Sequence, residues 1–388
     1  MLTNITKQAV IEFKVDSFGL YAIEITARCE KKNDLKVKID NLKFREIPPE
    51  NNIQSYNIPA NWNGTTLKGL NKTIFFILTL NKGKHTLKFT PKDNAVIEGW
   101  GYNLLTNTHT INFENLPQVE DRDKRPLCSF ILVNIPLKSV TADVSVSWHL
   151  FDGDDVKLII DNKIEQNTKS KFWKNWVWHS SLRQVFTGIK RESKTFIKNL
   201  PTNTHYIEFW TDRTPTLHKV TLDLGDYNPK RIPTVEDPEW TGDFAYDTDQ
   251  MILARAIFGE ARDELYPDIA RIAVGWSIRN RIEESNSTDS YYNVITRSEQ
   301  FSAFNLDDDN RPYVENPFWR ENKSDKIAWD NCFVIAGKII NGELEDPTKG
   351  ANHYYDDSIP TPYWAIAKTE VMVIENLDGT AKIRFHKL

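Results

Sequence analysis

The stretch Leu253-Ala-Arg-Ala-Ile-Phe-Gly-Glu-Ala-Arg262 decides how the last part of this chain folds. Its apolar residues have helical spacing, and it contains no proline. The preceding Asp247-Thr-Asp-Gln250 predicts an N-terminal cap, with Gln250 as the reciprocal partner. We therefore expect a helix over 251–262, with Glu260 near its C-terminal end.

Glu260 occupies a helix face that is half apolar and half acidic. Ala256 and Ile257 lie one turn before it, and Asp263 and Glu264 lie one turn after it. Apolar neighbours, nearby carboxylates and the negative end of a helix all raise the pKa of a carboxyl group. A carboxyl that keeps its proton near neutral pH suits general acid catalysis. The alternative is a solvated surface glutamate, the usual state of this residue on a helix.

The helical pattern continues through most of 241–388. Tyr266-Pro267 begins a second predicted helix, and a third runs from about 325 to 341. Near the end, 371–374 and 382–385 predict a hairpin. We expect a mainly helical body with a small β part.

The stretch that contains Glu260 closely resembles the opening motif of the cell wall hydrolase family that includes the spore cortex-lytic enzymes of the SleB type. Further blocks similar to those of the family follow in the same order: Asn280-Arg281, Gln300-Phe301-Ser302, Ala336 to Gly342, Asp346-Pro347-Thr348 and Gly350-Ala351-Asn352-His353-Tyr354. The resemblance covers about 252–365, well under half of the chain. Its specificity comes from the order of the blocks, since any one of them alone would be weak.

The resemblance implies a lysozyme-like, mainly α but α+β catalytic domain that cuts the glycan strand of bacterial peptidoglycan. Glu260 falls on the family's catalytic glutamate, which would protonate the oxygen of the β-1,4 bond between N-acetylmuramic acid and N-acetylglucosamine. The same carboxylate would then take a proton from the muramoyl 6-hydroxyl, as in a lytic transglycosylase, or from water, as in a hydrolase. The sequence leaves these two outcomes open.

The resemblance also implies a substrate-binding role for Glu264, Gln300, Ser302, His353 and Tyr354. The last four would line the cleft and offer hydrogen bonds and an aromatic floor to the sugars, and Glu264 would also support Glu260 by tuning its pKa. The alternatives are an exposed charge at a helix end for Glu264 and a neutral imidazole bonded to the backbone for His353.

Other residues of this region have no assigned chemistry or depart from the family pattern. Arg255 and Arg262 are predicted to fix the first helix through ion pairs with nearby acidic residues. Asn352 and Tyr355 stand where the pattern leads us to expect Thr or Ser and a second His, and the acidic stretch 307–322 resembles an insertion.

The first part of the chain consists of short β-rich runs separated by turn residues, which predicts an all-β sandwich. A later region repeats this plan with nearly constant spacing. The aligned pairs are Leu35–Asn41 with Val156–Asn162, then Leu80, His85 and Phe89 with Leu200, His205 and Phe209, and Leu116–Asp121 with Ile232–Asp237. We predict two tandem jelly-roll-like modules, 1–116 and 127–226, with linkers at 117–126 and 227–240 before the catalytic domain 241–388.

Three tryptophans crowd the second module, namely Trp173, Trp176 and Trp178, with Phe172 just before them. Sugar rings stack on exposed aromatic rings, so this cluster is a candidate carbohydrate-binding platform. The alternative is that these side chains fill the core of a β-sandwich.

Composition and charge exclude several classes of protein. The 388 residues are 40% hydrophobic and 27% charged, a globular balance. There are 16 basic and 26 acidic residues from Trp240 onward, a net charge of −10, against 33 and 28 before it, a net charge of +5. A nucleic-acid partner is not expected at this charge, whereas anionic wall polymers would suit the first part.

The sequence also predicts where the protein acts and that it has no metal or cofactor. No membrane span and no secretory signal are recognisable, so we expect synthesis in the cytoplasm and release by phage lysis, an injection apparatus or another non-classical route. The eight His residues are scattered, which predicts no metal site and no cofactor, and the three cysteines are expected to be free, buried thiols.

Three functional classes remain open from the sequence. The first is a peptidoglycan-cleaving enzyme whose two β modules grip the wall. The second is a non-catalytic wall-binding or adhesive protein, which the intact motif around Glu260 disfavours. The third is a structural component of a phage or injection apparatus that carries a lytic domain.

Overall fold

The chain forms two compact units, 1–230 and 231–388, so the division falls inside the predicted 227–240 linker. The computed structural model describes residues 3–40, 42–44, 59–118, 124–150, 152–284, 289–298 and 300–388. Among the helices in these ranges, none combines the length and apolar character needed to cross a membrane.

The described residues of the first unit are almost entirely β, with two single-turn helices, α1 (Gly64–Leu67) and α2 (Gln184–Thr187). Apolar side chains alternate along many strands, which places every second residue in a core. The strands are β1 (Thr3–Ile5), β2 (Ala9–Val15), β3 (Gly19–Cys29), β4 (Asp34–Ile39), β5 (Trp62–Asn63), β6 (Lys72–Leu80), β7 (Gly83–Pro91), β8 (Ala95–Leu104), β9 (Thr110–Glu114), β10 (Arg125–Val146), β11 (Asp155–Ile160), β12 (Lys163–Ile164), β13 (Trp178–His179), β14 (Lys190–Asp212) and β15 (Thr216–Asp223).

The first half of this unit contributes strands to two sheets. One sheet has the order β2-β7-β4-β5, and β1-β8-β3-β6 form part of the other. Ile23 and Phe76 from the second sheet and Phe89 from the first belong to one buried apolar cluster. Two sheets that share a core in this way form a β-sandwich.

The second half uses two long, bent strands where the first half uses pairs of short ones. β10 pairs with β14, and their register shifts between Leu132 and Ser139. Asn134 and Asn199, near this irregularity, have positive φ angles of 56° and 51°. β10 pairs with β6 before the shifts and with β15 after them. Bulges and left-handed residues allow a strand to change partners in this way.

A turn in which an aspartate contacts a histidine occurs in both halves, and we call it the Asp–His corner. In the first, the Nδ1 atom of His85 lies 2.8 Å from Oδ2 of Asp40, and in the second the Nδ1 atom of His205 lies 2.8 Å from Oδ2 of Asp161. Each aspartate also accepts a hydrogen bond from the backbone amide that follows the histidine. Both aspartates have positive φ, 50° and 48°. The sequence repeat therefore aligns residues that have the same local structure.

The two halves also bury equivalent tryptophans. Trp62 on β5 pairs with β4, and Trp178 on β13 pairs with β11. Both indoles are fully buried, and each donates a hydrogen bond to a backbone carbonyl, that of Lys72 at 2.7 Å and that of Glu192 at 3.1 Å. A buried indole N–H needs such a partner.

The predicted division of this unit into separate modules 1–116 and 127–226 differs from the structure. β6 pairs in parallel with β10, and β9 pairs with β15, so the two halves share one sheet of eleven strands. Pairing in this way satisfies backbone groups that edge strands would otherwise expose. The predicted 117–126 linker lies partly outside the described residues, at 119–123, and its last two residues begin β10.

Where the structure describes the second unit, it is mainly helical, with one small sheet of order β16-β18-β17. Buried residues of the helices and of the sheet form a single apolar core. The elements are α3 (Asp249–Ala261), α4 (Asp268–Glu284), α5 (Tyr291–Thr296), α6 (Arg311–Glu315), α7 (Lys323–Ile340), β16 (His353–Asp356), β17 (Glu370–Glu375) and β18 (Lys382–His386), with short 3-10 helices at Phe244–Tyr246 and Ser302–Phe304.

The predicted helices and the C-terminal hairpin are present, but the cap of α3 differs from the prediction. Thr248 is the N-cap, and its side chain accepts a hydrogen bond from the Met251 amide at 3.2 Å. Asp247 instead pairs with Arg255, and Gln250 donates to the Phe333 carbonyl on α7 at 2.9 Å. Asp247 and Gln250, which local spacing assigns to the cap, therefore make tertiary contacts instead.

Replacing His205 with Ala should destabilise the first unit by about 2 kcal/mol, because a buried hydrogen bond to a carboxylate is lost. Burial lowers the pKa of His205, but hydrogen bonds to Asp161 and to the Pro201 carbonyl raise it above the ordinary value. The stabilisation is therefore complete below pH 6.5 and is lost as the pH rises through the raised pKa.

Urea unfolding at pH 6 and pH 8.5 measures this effect. The difference in the free energy of unfolding between the native protein and His205→Ala should be larger at pH 6 than at pH 8.5. His109→Ala, at an exposed histidine, is the control and should change stability by less than about 0.5 kcal/mol. An equal difference at both pH values would contradict the protonation of His205.

Candidate active site

A buried ion pair anchors the helix that carries Glu260. Arg255 on α3 donates from Nε to Asp247 at 2.6 Å, and both side chains are almost completely buried. Its two remaining nitrogens donate to the carbonyls of Val314 and Pro238, each at 2.6 Å. Arg255 thus ties α3 to the chain before it and to α6, as the sequence predicted when it assigned this residue a structural role.

A glycine allows the segments around Glu260 to approach α3 closely. A Cβ atom at Gly259 would lie 2.8 Å from a methyl of Val314 and 2.9 Å from Cβ of Ala303. Those distances are too short for carbon atoms, so only glycine fits without movement of its neighbours. The closeness brings the 3-10 helix Ser302–Phe304 next to the Glu260 carboxyl group.

The Glu260 carboxyl group is poised to hold a proton. Its Oε1 atom is buried and has no hydrogen-bond partner among the described residues. Burial, and secondly the charge of Asp308, raise the pKa of Glu260 to about 7, while Tyr354, the Ala303 amide and Arg281 act in the opposite direction. Burial disfavours the charged form of a carboxyl, so the group stays largely protonated up to neutral pH.

The acidic neighbour of Glu260 is not the one that helical spacing predicts. α3 ends at Ala261, so Asp263 and Glu264 do not lie on a further turn, and both are exposed. Asp308 is the carboxylate that raises the Glu260 pKa. It lies in the acidic stretch 307–322, which resembles an insertion relative to the family pattern.

A cleft of about 360 Å³ opens beside Glu260. Its lining is mostly polar: Gly259, Glu260, Arg262, Asp263, Glu264, Tyr266, Asn310, Tyr313, Arg320, Asn322, Ser324 and Asp325. The Arg262 guanidinium lies 3.7 Å above the ring of Tyr313 and donates to Asn310 at 2.7 Å. Arg320 approaches the same ring at 5.1 Å. Arg262 therefore builds a wall of the cleft rather than the ion pair that was predicted for it.

The predicted substrate-binding residues divide between the cleft and its surroundings. Glu264 lines the cleft. Tyr354 on β16 faces Glu260 from another side, and its hydroxyl interacts with that carboxyl without the geometry of a full hydrogen bond. Gln300 accepts a hydrogen bond from Arg281 at 2.8 Å. Ser302 is exposed, one residue before Ala303, whose backbone amide acts to lower the pKa of Glu260.

His353 is held as a neutral imidazole. Its Nδ1 atom lies 3.0 Å from Oδ1 of Asn352, and its ring packs against Trp364 at 5.3 Å. Burial, followed by the charge of Arg281 and by His386, lowers the pKa of His353 to about 4. The structure therefore gives this residue the neutral state of the alternative interpretation, with a side-chain amide as its partner rather than the backbone.

The tryptophan cluster of the first unit separates into buried and half-exposed members. Trp178 is completely buried, so the prediction that it forms part of an exposed platform is wrong, because the short strand β13 turns this ring into the core. Trp173 is half-exposed and stacks on His179 at 4.6 Å, and Trp176 is half-exposed beneath the ammonium group of Lys157 at 4.7 Å.

Two charged residues in this region were not predicted from the sequence to belong to the site. Arg281 was noted only as part of a helix end, yet its charge acts on Glu260, and its Nη1 atom binds Gln300. Arg271 donates to the Ala261 carbonyl at 3.1 Å and to the Asp263 carbonyl at 3.1 Å, so it caps the end of α3 just after the catalytic candidate. Helical spacing alone does not indicate which arginine of α4 reaches α3.

In the part of the chain that the structure describes, no cluster of three or more His, Cys, Asp or Glu residues has the geometry of a metal site. All three cysteines are buried, as expected, and none forms a disulfide.

Residues 266–377 match the sequence model of a protein family described as cell wall hydrolase. The C-terminal unit carries a cell wall hydrolase domain. The predicted resemblance is thereby confirmed over these residues, which include Gln300, Ser302, His353 and Tyr354. The match begins after the end of α3, so the cell wall hydrolase match itself does not contain Glu260.

Solved structures give further likenesses. The catalytic domain of SleB from Bacillus cereus is 22% identical with a TM-score of 0.24, covering 36% of this chain and 89% of that one. The catalytic domain of the germination-specific lytic transglycosylase SleB from Bacillus anthracis is 24% identical with a TM-score of 0.25, covering 36% and 93%. The ANXUR2 extracellular domain from Arabidopsis thaliana is 7% identical with a TM-score of 0.18, covering 59% and 86%. No curated protein sequence matches significantly.

Replacing Asp308 with Asn should lower the pKa of Glu260, because a like charge that favours the protonated carboxyl is removed. Wall degradation that needs protonated Glu260 loses activity as the pH rises through the Glu260 pKa. In the variant, this alkaline side of the pH profile should therefore shift to lower pH. The pH dependence of peptidoglycan solubilisation measures this change. Asp309→Asn, at the exposed neighbour, is the control and should leave the profile in place; an unmoved profile for Asp308→Asn would contradict the assignment.

Replacing Glu260 with Gln should stabilise the second unit at high pH. The pKa of about 7 exceeds the ordinary 4.5, so the contribution of this carboxyl to stability is present below pH 4.5 and is lost as the pH rises through 7. The free energy of unfolding of the variant should exceed that of the native protein by as much as about 3 kcal/mol at pH 8 and by little at pH 4. Calorimetry at the two pH values tests this, with Glu264→Gln as an exposed control. A gain that does not depend on pH would argue against a buried, titrating carboxyl.

Proposed function

We propose that this protein is a peptidoglycan glycosidase in which Glu260 is the general acid and base. The observation that carries the proposal is the Glu260 carboxyl group beside the cleft, with its raised pKa and a buried Oε1 atom that has no partner in the described structure. The cell wall hydrolase domain that follows it indicates the class of substrate.

In the proposed reaction, protonated Glu260 donates its proton to the oxygen of the β-1,4 bond between N-acetylmuramic acid and N-acetylglucosamine. The bond from C1 of the muramoyl residue to that oxygen breaks, and the N-acetylglucosamine end leaves as an alcohol. Developing positive charge at C1 is then met by the Glu260 carboxylate that remains.

The carboxylate completes the reaction as a base. It takes the proton of the muramoyl 6-hydroxyl, whose oxygen closes a 1,6-anhydro ring on C1, or it takes a proton from water, whose oxygen bonds to C1. The first route needs one carboxylate, which Glu260 would supply. SleB of Bacillus anthracis is described as a lytic transglycosylase, which agrees with that route.

The surrounding residues suit supporting roles. Tyr354 interacts with the carboxyl of Glu260, and the Ala303 amide and Arg281 stabilise its charged form after proton transfer. Glu264 would contact the glycan strand in the cleft, and Gln300, positioned by Arg281, would bind its N-acetyl groups. Ser302 and the neutral His353, with Trp364 beside it, would extend the binding surface.

We further propose that the first unit holds the enzyme on the cell wall. The residues before Trp240, most of which form this unit, carry a net charge of +5, which suits anionic wall polymers. Of the predicted platform, Trp173 and Trp176 remain accessible to sugar rings.

The products of digestion test the catalytic proposal. Purified peptidoglycan is incubated with the native protein, with Glu260→Gln and with Glu375→Gln, an exposed carboxylate on β17 that serves as control. Mass spectrometry of soluble muropeptides should show release by the native protein and the control, and a loss of roughly 10²–10⁴-fold for Glu260→Gln.

The chemical end group separates the two routes. Muropeptides that end in 1,6-anhydro-muramic acid would establish a transglycosylase, and reducing ends would establish a hydrolase. If the native protein pelleted with the wall but released nothing, the catalytic proposal would fall and a binding function would replace it.

A further inference from the structure

Loops at one end of the second β half expose an unusual number of large apolar side chains. Phe172 is 94% exposed and Phe186 is 90% exposed, and both are close to full exposure. The other members of this set, which we call the apolar tip, are Leu150, Leu182, Val185 and Ile189. Monomeric soluble proteins rarely concentrate such side chains on one surface without a binding role.

Strand register and loop contacts place these residues at the same end. Val146 at the end of β10 pairs with Lys190 at the start of β14, so the loop that follows one strand and the loop that precedes the other are neighbours. The Ser180 amide donates to the Asp154 carbonyl at 3.0 Å, which ties these two loops together. Trp173, next to Phe172, stacks on His179.

Segment 166–191 of the apolar tip is basic, whereas the loop that carries Leu150 contains Asp152, Asp154 and Asp155, of which Asp154 is buried and Asp152 pairs with Arg213. From 166 to 191 there are six Lys and Arg residues and no Asp or Glu. Lys190 and Arg191 form ion pairs with Glu192 and Asp143. The other four are exposed and form no ion pair with any residue of the described ranges: Lys169, Lys171, Lys174 and Arg183.

We infer that the apolar tip docks on an anionic lipid bilayer. Apolar side chains that project from a surface can enter the acyl region, while neighbouring Lys and Arg meet the headgroup phosphates. Both kinds of side chain are present in segment 166–191, which contains no carboxylate, and the half-exposed Asp152 of the neighbouring loop is paired with Arg213. The inference does not rest on the proposed function, since these residues belong to the first unit and Glu260 belongs to the second.

Two other occupants fit the same surface less well. An anionic wall polymer would pair with the lysines but would leave Phe172 and Phe186 in water. A second copy of this chain, docked tip to tip about a twofold axis, would bring the unpaired cations of both copies together. A bilayer is the surface that meets both the charge and the apolar rings.

Vesicle flotation with the full chain tests the inference. Vesicles of phosphatidylglycerol and phosphatidylcholine are compared with vesicles of phosphatidylcholine alone, at 0.1 M salt. The native protein should bind the anionic vesicles at least about tenfold more tightly, because several cations contribute, and high salt should weaken this binding.

Matched variants distinguish the role of the apolar rings from that of general charge. Phe172→Ser with Phe186→Ser should weaken binding to anionic vesicles about 100-fold, since each buried ring contributes about tenfold or more. Val10→Ser with Ile197→Ser removes two exposed apolar side chains on strands away from the tip and should bind as the native protein does. Lys171→Glu with Arg183→Glu should also weaken binding.

Three outcomes would overturn the inference. The native protein could fail to float with anionic vesicles, or the double Phe variant could float as well as the native protein. Sedimentation could instead show a concentration-dependent dimer that the Phe substitutions dissociate, in which case the tip joins two copies. Circular dichroism of each variant shows whether the fold is retained, and the Val10/Ile197 pair controls for a general loss of apolar surface.

Discussion

The arrangement around Glu260 depends on one buried ion pair, Arg255 with Asp247. A guanidinium without access to water is tolerated only when its donors are satisfied, and here they reach Asp247 and the carbonyls of Pro238 and Val314. These partners belong to three separate parts of the second unit. The same contacts that neutralise Arg255 therefore hold α3 and α6 in a fixed relation, with Gly259 allowing them to touch.

The same packing explains the unusual state of Glu260. The helix that Arg255 anchors ends at Ala261, one residue after Glu260. Arg271 binds carbonyls exposed at that end. The carboxyl is thus placed among packed segments instead of on a solvated turn, and burial becomes the main cause of its raised pKa. A site of this kind sacrifices stability at high pH, because an ionised carboxyl lies where solvation is poor. A polar cleft of about 360 Å³ lies beside it.

The first unit shows how a duplicated sequence can form one body. Each half keeps its Asp–His corner and its buried indole, yet the long strands β10 and β14 and the parallel pairing of β6 with β10 merge the halves into a common sheet. Local repeats in sequence record local structure, because the corner needs only a turn and a histidine at a fixed distance along the chain. They do not record which edges meet, since almost any pair of edge strands offers the same backbone groups.

The sequence by itself determined the helical character of the second unit, the position of Glu260 on its first helix, the resemblance to cell wall hydrolases and the internal repeat of the β part. Periodicity and short motifs carry these properties, because they depend on residues within a few turns or strands of each other. Only the tertiary structure decided that Asp308, rather than Asp263 or Glu264, acts on Glu260, that Asp247 serves Arg255 instead of the helix cap, and that Trp178 is buried. The reason is physical: charge, burial and hydrogen bonding depend on distances through space, and residues far apart in sequence set those distances when the chain packs.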